Sequence, residues 1–567
     1  MFLMDQTIQG ASALIIDSNA NSRSLMSAQL RDLGVGTVKQ TPRVKDARVM
    51  LEHQTFDIVL CDYHFDSTDT SGQDLLDELR REGLLPYSTV FVMVTSEATY
   101  AKVAEAAEAA LDAYLIKPYT SANLAERLAS ARARKRILKD IFEAIENQDF
   151  ETAANLCMAR FEAKEKYWLY AARIGAELLL RLKRFDDAKI LYEAIIAAKT
   201  VPWARLGVAR TEVASGNLQK ARRTLENLIG ELPDYADSHD LMGHVQMEQG
   251  ELSEALKTYQ TAATLTPGCL LRLQRCGSLG FYAGQRAEAV RMLERAMSQG
   301  LRSKLFDMLT LVLIGLMRFD NKDHKGFKYA YDALSSALER APGSIRLQRF
   351  DLVFRGLTYL LERRVGQALL VAREFTEHAS ASNFDLEAAS LLTALWIRLS
   401  SQEVELEEMM PILKQQGMRH CTAKASTEIL VAMTEGHQGA AEQFRDCHQQ
   451  IFSVAETAMR HSMRGTAKTA VELLIQQGET TRNAKLIDMA GLVLKRHAEK
   501  IDGAAALAEQ IDALHHRYVG GMGGPSKSRA MGGSLALRTG PAAAPATVPA
   551  AAPPPAPPPE ASTAAPA

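Results

Sequence analysis

The sequence lacks several features that would place it among extracellular or membrane proteins. Its six cysteines show neither CxxC spacing nor close pairing with histidine, which argues against a disulfide framework or a zinc site. The N-terminus MFLMDQTIQG has no basic region and no long apolar core, so we expect no signal peptide. The longest apolar run, at 308–317, is about half of the roughly 20 residues that a spanning helix needs. We therefore expect a cytoplasmic protein without membrane insertion, in which this run is a buried helix.

Charge and length set further limits. The formal net charge of −2 gives no general attraction to nucleic acid or to an anionic membrane. A chain of 567 residues exceeds what one hydrophobic core can serve, so several domains or a repeat array are expected. The patterning predicts an α/β domain over 1–130, helical repeats over 131–345, degenerate helical hairpins over 346–517 and a tail over 518–567. Because ten of the nineteen prolines follow residue 540 in an alanine-rich context, we expect the tail to be disordered.

The first region alternates short β-rich runs with helical stretches. Nearly continuous apolar strands that alternate with helices predict a doubly wound parallel sheet covered on both faces. Ligands of such folds sit at the carboxyl ends of the strands. The five predicted strands are 13–17, 36–40, 56–62, 90–94 and 113–117. The predicted helices are 22–33, 45–53, 74–82, 100–111 and a helix from 121 to about 145 that runs without a break into the second region.

The second region is almost entirely helix-forming and contains a repeat. Gly216, Ala221 and Pro233 recur 34 residues later as Gly250, Ala255 and Pro267. A fixed register at this period predicts stacked helical hairpins, in which small residues mark close helix crossings and the proline ends each second helix. The same spacing relates Gly243 to Gly277, Tyr259 to Leu293 and Ala262 to Ala296, and it continues at Gly284 and Ala289.

This pattern resembles the tetratricopeptide repeat, most clearly over 236–267. Weaker copies surround Ala153, Ala188 and Ala330. The resemblance implies an α-helical solenoid, whose groove offers an extended surface for a helix or peptide of an unknown protein partner. After about residue 345 the register decays, and only helical hairpins are predicted there.

Polar residues end four of the predicted strands of the α/β domain. Asp17 ends the first strand and Asp62 the third, Thr95 follows the fourth, and Lys117 ends the fifth. Because the carboxyl ends of parallel strands meet at one edge of the sheet, we expect these side chains to lie together. Two acids, a hydroxyl and an ammonium suit phosphoryl transfer, in which a carboxylate attacks phosphorus and cations neutralise the phosphoryl oxygens.

With these residues in place, the domain resembles the receiver domain of two-component response regulators. The matching motifs are LIID ending at Asp17, IVLCD ending at Asp62, VMVTS around Thr95 and AYLIKP containing Lys117. The resemblance implies that Asp62 is the phosphoacceptor, charged by a histidine kinase or phosphotransfer protein. It also implies that Thr95 is the switch hydroxyl, that Lys117 pairs with the phosphate and that Tyr114 is the aromatic that turns inward. The Lys117–Pro118 bond would be cis.

The same resemblance implies a Mg²⁺ site with one departure. Receivers hold the ion with two adjacent acids after the first strand, the phosphoacceptor and a backbone carbonyl, which correspond here to Asp17, Ser18, Asp62 and the carbonyl of His64. A serine hydroxyl at Ser18 is a poorer ligand for a hard cation than a carboxylate, so we expect weaker Mg²⁺ binding. The loop after Asp62 is also about two residues longer than the commonest form. It carries Asp66 and Asp69, either of which could add a carboxylate.

Other candidate residues have simpler interpretations. The basic run RARKR at 132–136 is expected to be a solvated turn of a long connecting helix, because no helix-turn-helix or aromatic ladder accompanies it. Cys61 is expected to be a small buried hydrophobe, and the His515–His516 pair lacks partners at ligand spacing. No motif of a hydrolase, P-loop enzyme, metalloprotease or kinase is present, so we expect the output to be non-enzymatic.

Three functions remain as hypotheses from the sequence. The first is a response regulator, phosphorylated on Asp62, whose output module is a helical platform that binds protein. The second is a scaffold with a receiver that is not phosphorylated, which Ser18 would explain. The third, less favoured, is a regulator linked to nucleic acid through the basic run at 132–136.

Overall fold

The computed structural model describes residues 6–65, 72, 75–76, 79, 85–96, 113–198, 202–267, 269–301, 306–401 and 406–519. The first region is a five-stranded parallel sheet in the order β2-β1-β3-β4-β5, which is the flavodoxin-like receiver fold. Its strands are β1 (Ser12–Ile16), β2 (Thr37–Thr41), β3 (Ile58–Asp62), β4 (Val90–Thr95) and β5 (Ala113–Ile116).

All five predicted strands are confirmed, each within two residues of its predicted bounds. The burial of the strands follows their position in the sheet. Every residue of β4 and four of the five residues of β3 are buried, because helices cover both faces of the central strands. Strand β2 lies at the edge and exposes most of its residues, which accounts for its polar sequence TVKQT.

Three described helices accompany the sheet: α1 (Ala20–Asp32), α2 (Val44–His53) and α3 (Ser121–Ile137). The side chain of Asn19 accepts from the amides of Asn21 and Ser22 and so caps α1, while Thr120 and Asn123 form a capping box at α3. The predicted helix at 100–111, most of the one at 74–82 and the tail beyond residue 519 lie outside the described residues.

The rest of the described chain is helical, apart from the connections between helices. Short 3-10 turns span Gln6–Gly10, His378–Ser380 and Ala498–Lys500, and His515–Val519 form a turn of π-helix. The helices are α4 (Lys139–Glu146), α5 (Phe150–Glu162), α6 (Trp168–Arg181), α7 (Phe185–Ala198), α8 (Pro202–Ala214), α9 (Leu218–Glu231), α10 (Ala236–Glu248), α11 (Leu252–Leu265), α12 (Leu270–Tyr282), α13 (Arg286–Gly300), α14 (Leu309–Asp320), α15 (His324–Arg340), α16 (Ile345–Leu361), α17 (Val365–Glu377), α18 (Leu386–Ser400), α19 (Met409–His420), α20 (Lys424–Ala432), α21 (Gln438–Met463), α22 (Ala467–Thr481), α23 (Ala484–His497) and α24 (Ala504–Leu514).

The 34-residue spacing of the sequence is also a structural period. Gly243 in α10 and Gly277 in α12 both lie where a Cβ atom would come within 2.5 Å of a side chain on the second helix of their hairpin, Tyr259 and Leu293 respectively. These close crossings require glycine. The turns of successive hairpins share a second glycine with positive φ, at Gly216 (81°), Gly250 (75°) and Gly284 (77°).

The predicted buried helix is confirmed as α14. Every residue from Thr310 to Met317 in this helix is buried, and its glycine, Gly315, lies against the ring of Phe354. Helix α18 is covered in the same way from Ala388 to Leu399, and it places Trp396 in the centre of the largest hydrophobic cluster. In the described part of the chain, no helix combines the length and the apolar character that crossing a membrane requires.

The connection between the two regions differs from its prediction. Helix α3 ends at Ile137, Leu138 leaves helical geometry with φ −101° and ψ 16°, and α4 begins at Lys139. The prediction of one unbroken helix from 121 to about 145 is therefore wrong at Leu138, whose side chain is buried in the first hairpin.

The prediction of a solvated basic turn at 132–136 is also wrong for Lys135, which is only 6% exposed. Its ammonium donates to the carbonyl oxygen of Tyr87 at 2.6 Å and lies 4.8 Å from the ring centroid of Phe142. The burial of this lysine depends on a loop of the sheet domain that is distant in sequence.

Candidate functional site

Three of the predicted polar residues meet at the carboxyl edge of the sheet. The ammonium nitrogen of Lys117 lies 3.0 Å from a carboxylate oxygen of Asp17 and 3.0 Å from one of Asp62. Asp17 immediately follows β1, Asp62 is the last residue of β3, and Lys117 immediately follows β5. The side chain of Asp17 is fully buried and that of Asp62 is 14% exposed, so Asp62 is the carboxylate that a substrate can reach.

Local structure at the start of α1 fixes Asp17. Its carboxylate accepts from the amide of Asn19 at 2.7 Å and from the hydroxyl of Ser22 at 2.6 Å. The guanidinium of Arg23 donates to the backbone carbonyls of Asp17 and Ser18, at 2.6 and 2.9 Å. The β1–α1 loop is thereby held from two sides, and the orientation of Asp17 is set before any ligand binds. Ser22 and Arg23 were not predicted as site residues.

Two opposing influences act on the pKa of Asp62. Burial raises the pKa of Asp62, and the hydrogen bond and charge of Lys117 oppose that shift. The amide of Tyr63 donates to the other carboxylate oxygen at 2.8 Å. Gly72 passes so close that a Cβ atom there would lie 2.2 Å from the carbonyl oxygen of Asp62, which explains the glycine at this point of the returning loop.

Lys117 is held as a cation by the two acids. Burial favours the neutral amine, but the hydrogen bonds and charges of Asp17 and Asp62 outweigh it and raise the pKa of Lys117. Its amide donates to the carbonyl oxygen of Thr95 at 2.6 Å, and the Lys117–Pro118 peptide bond is cis, as predicted. The lysine is therefore anchored both through its backbone and through its side chain.

The two predicted switch residues lie on neighbouring strands. Thr95 is fully buried at the end of β4, where it pairs in register with Ile116 of β5. Tyr114 pairs with Met93 and is half-buried against the cluster that contains Phe91 and Met93. Both are thus on the two strands that end beside Lys117.

Tyr119 was not predicted from the sequence as a residue that the site affects. Burial, followed by the charges of Asp17 and Asp62, raises the pKa of Tyr119 to about 12. The signal that could have found it is its position two residues after Lys117.

Cys61 is fully buried as predicted, and burial followed by the charge of Asp62 raises the pKa of its thiol well above the usual value.

The donor set fits a hard divalent cation, with fewer charges than usual. Asp17 and Asp62 offer carboxylate oxygens, and Ser18 and the backbone of His64 can offer only neutral ones. Among the described residues, no three acidic, histidine or cysteine side chains form a group that could hold a metal ion. Asp66 and Asp69 lie outside the described residues. Within the described part of the chain, Mg²⁺ would therefore depend on the two carboxylates of Asp17 and Asp62.

The other candidate residues are distant from this edge. His515 lies 3.3 Å from a carboxylate oxygen of Asp488. In the basic run, the guanidinium of Arg134 lies 4.6 Å from the ring centroid of Tyr170 on α6. These contacts are made within the helical region or across its junction with the sheet domain.

Comparisons with known proteins agree with the receiver fold of the first region. Residues 13–129 match the response regulator receiver domain family. The sequence is 34% identical over 115 residues to the chemotaxis protein CheY-3 of Vibrio cholerae, covering 20% of this chain and 86% of that protein. It is 32% identical over 115 residues to the chemotaxis protein CheY of Pseudomonas aeruginosa, covering 20% of this chain and 90% of that protein. A solved structure of the chemotaxis protein CheY4 of Vibrio cholerae matches with 21% identity and a TM-score of 0.20, over 21% of this chain and 98% of that one.

Proposed function

Because the chain belongs to the response regulator receiver family through residues 13–129, we propose that Asp62 accepts a phosphoryl group from a histidine kinase or phosphotransfer protein. The observation that carries this proposal is the Lys117 ammonium, 3.0 Å from both Asp17 and Asp62. Of the two acids, only Asp62 is partly exposed. The arrangement supports attack by one carboxylate while the second holds the neutralising lysine.

The chemical step moves one phosphoryl group. An oxygen of Asp62 attacks the phosphorus of a phosphohistidine, the oxygen–phosphorus bond forms, and the phosphorus–nitrogen bond breaks. The departing imidazole keeps the bonding electron pair and takes up a proton. Lys117 then neutralises a phosphoryl oxygen, and the hydroxyl of Thr95 donates a hydrogen bond to another.

Asp17, Asp62, Ser18 and the carbonyl of His64 are the groups that would hold Mg²⁺. When bound, the ion supplies positive charge for the phosphoryl oxygens. Lys117 already supplies one such charge in this chain. We expect the ion to bind more weakly than in a receiver with a third carboxylate, because Ser18 adds none.

We further propose that the helical region is a tetratricopeptide-type platform that binds a protein and has no catalytic activity of its own. The 34-residue period, the hairpin glycines and the prolines two residues beyond α9 and α11 support this. Phosphorylation would shift the equilibrium of Thr95 and Tyr114 on β4 and β5. Since β5 leads through residues 117–120 into α3, the shift would reach the first hairpin.

Ser18 motivates a second candidate function, a scaffold whose receiver is not phosphorylated. The nucleic-acid hypothesis has less support, because Lys135 is buried and is not accessible to a phosphate backbone. A steep salt-dependent mobility shift that is lost on neutralising the basic run would be needed to revive it.

Intact mass after incubation with acetyl phosphate and Mg²⁺ tests the proposal. We expect a single labile phosphoryl adduct on the natural chain and none on Asp62→Ala. Asp46→Ala, which removes an α2 carboxylate that pairs with Arg43, is the matched control and should still form the adduct. If no adduct forms at high Mg²⁺, the scaffold function replaces phosphotransfer.

A further inference from the structure

Helix α20 lies on the inner side of the hairpin array and not at its end. It contacts α10, α12 and α18, each of which is the first helix of its hairpin or segment, although α10 precedes it by about 180 residues in the sequence. In stacked helical hairpins, the first helices line the concave face on which partners bind. This face is therefore covered by the chain itself around α10 and α12.

The burial of the first helices agrees with this covering. Ten of the thirteen residues of α10 are buried, and two of these, Asp237 and Asp240, are ion-paired with Arg272 of the neighbouring α12. In contrast, seven of the fourteen residues of α6, near the start of the array, are buried, and Tyr170 and Arg173 in this helix are partly exposed. A helix with no exposed stripe is packed on more than one side.

Two contacts hold α20 and the turn after it against the hairpins formed by α10–α11 and α12–α13. The stem of Lys424, the first residue of α20, lies over the turn at Gly250, where a Cβ atom would come within 2.4 Å of the lysine Cγ. The guanidinium of Arg286 pairs with the carboxylate of Glu435 and also approaches the carbonyl oxygen of Ala432 at 3.4 Å. We call these two contacts the clasp.

The surroundings of Arg286 favour its pairing with a carboxylate. Its guanidinium lies 3.5 Å from the ring centroid of Phe281, and its Nε and one terminal nitrogen are buried and have no hydrogen-bond partner among the described residues. Glu435, on the other side of the pair, is 59% exposed. The arginine is fixed and desolvated, whereas its present partner sits at the surface and can be exchanged.

We propose that α20 and the turn through Glu435 are a built-in occupant of the face formed by α10 and α12, and that a partner protein binds there by replacing them. This rests on the proposed function of the helical region as a binding platform. The partner segment that fits is a short helix with an acidic residue just beyond its C-terminal end, where it takes the place of Glu435 on Arg286.

Release would move a larger unit than α20 alone. Leu430 and Met433 pack in the same hydrophobic cluster as Leu413 and Phe444 of α19 and α21, and this cluster continues to Leu273 of α12. Opening the clasp would therefore also separate apolar contacts between α20 and α12, while α20 keeps its contacts with α19 and α21.

Charge reversal in the full-length chain tests the clasp without phosphorylation. Spin labels at the exposed positions Lys257 and Gln438 would report the separation of α11 from the start of α21 in a Cys269→Ser background. We expect Glu435→Arg to lengthen or broaden the distance distribution and the exchanged pair Arg286→Glu with Glu435→Arg to restore it. Unchanged distances in Glu435→Arg would overturn the proposal.

A labelled peptide of residues 422–437 tests replacement directly. We expect it to bind Glu435→Arg, which keeps Arg286 in place, at least tenfold more tightly than it binds the natural chain. Arg286→Glu should bind this peptide no better than the natural chain, because its own glutamate repels that of the peptide. Equal binding to the natural chain and to Glu435→Arg would contradict the proposal. If Arg286→Glu fails to fold, Arg286→Gln provides the same comparison, because it also removes the charge that pairs with the glutamate of the peptide.

Two further measurements distinguish the clasp from other ion pairs and from the effect of phosphorylation. Glu408→Arg breaks an exposed pair with Arg373 that lies outside the clasp, and it should change neither the distances nor peptide binding. Acetyl phosphate should open the clasp in the natural chain and not in Asp62→Ala. If only this last arm fails, the control by phosphorylation is wrong, while the built-in occupant stands.

Discussion

The ammonium of Lys135 donates a 2.6 Å hydrogen bond to the carbonyl oxygen of Tyr87 across the junction between the sheet domain and the helical region. From the other side, the carboxylate of Glu146 accepts from the amide of Tyr87 at 2.5 Å, and the ring of Tyr87 stacks on Phe142 with an interplanar angle of 4°. The loop that leads into β4 is thus held by α3 and α4. The strand that ends at Thr95 begins three residues after this attachment.

Replacing Lys135 with methionine should weaken this junction. Methionine keeps the apolar stem but leaves the carbonyl of Tyr87 without the ammonium, which we expect to cost about 1–3 kcal/mol in the free energy of unfolding. Denaturant unfolding followed by circular dichroism measures the change. Lys139→Met, at a side chain that is 64% exposed, should stay within about 0.5 kcal/mol of the natural chain. Equal decreases in the free energy of unfolding of the two variants would show that the buried hydrogen bond of Lys135 does not stabilise the fold more than an exposed lysine does.

Much of this structure follows from local sequence patterns, and its exceptions involve long-range partners. The five strands and the meeting of Asp17, Asp62 and Lys117 were predictable, because the ends of apolar runs fix the edge of a parallel sheet. The burial of Lys135 was not, because it depends on Tyr87, 48 residues away. The position of α20 on α10 and α12 had no signal either, since no repeat spacing relates Lys424 to Gly250.

Gly243 should be the most sensitive glycine of the repeat. A Cβ atom there would lie 2.5 Å from the ring of Tyr259, which is itself buried and cannot move aside. We expect Gly243→Ala to lower the free energy of unfolding by about 1–3 kcal/mol through overpacking. The midpoint of thermal or denaturant unfolding gives the measurement.

The chain offers a matched control in Gly230, a helical glycine with nothing within 4 Å of its Cβ position. Gly230→Ala should be neutral or stabilise by up to about 1 kcal/mol, because alanine loses less backbone entropy in a helix. If both alanine variants behave alike, the crossing of α10 and α11 is looser than the structure indicates.

Restoring the missing acid should change the requirement for Mg²⁺. Ser18→Asp adds a third carboxylate beside Asp17 and Asp62, so we expect the Mg²⁺ concentration for half-maximal adduct formation with acetyl phosphate to fall about tenfold, roughly 1.4 kcal/mol of binding. Ser18→Asn has a similar size without the charge and should leave that concentration within about twofold. A shift of the same size in both variants would assign the effect to shape and not to charge.

The pH dependence of stability should report the raised pKa of Asp62. A carboxyl whose pKa is higher in the folded protein than in the unfolded chain contributes stability that is fully present below the unfolded pKa and is lost as the pH rises through the folded pKa. At pH 7 the ionised Asp62 therefore destabilises the fold. Asp62→Asn should raise the Tm at pH 7 by a few degrees, while Asp17 keeps its ion pair with Lys117.

The advantage of Asp62→Asn should shrink toward zero as the pH falls below the ordinary aspartate pKa of 3.8, because the natural carboxyl is then protonated in both the folded and the unfolded state. Asp57→Asn is the matched control within the same sheet, since the carboxylate of Asp57 accepts from both the amide and the hydroxyl of Ser12 at 2.8 and 2.9 Å. Its loss should lower the Tm at pH 7. A Tm of Asp62→Asn that is below that of the natural chain at pH 7 would mean that the pairing with Lys117 outweighs the burial of the carboxylate.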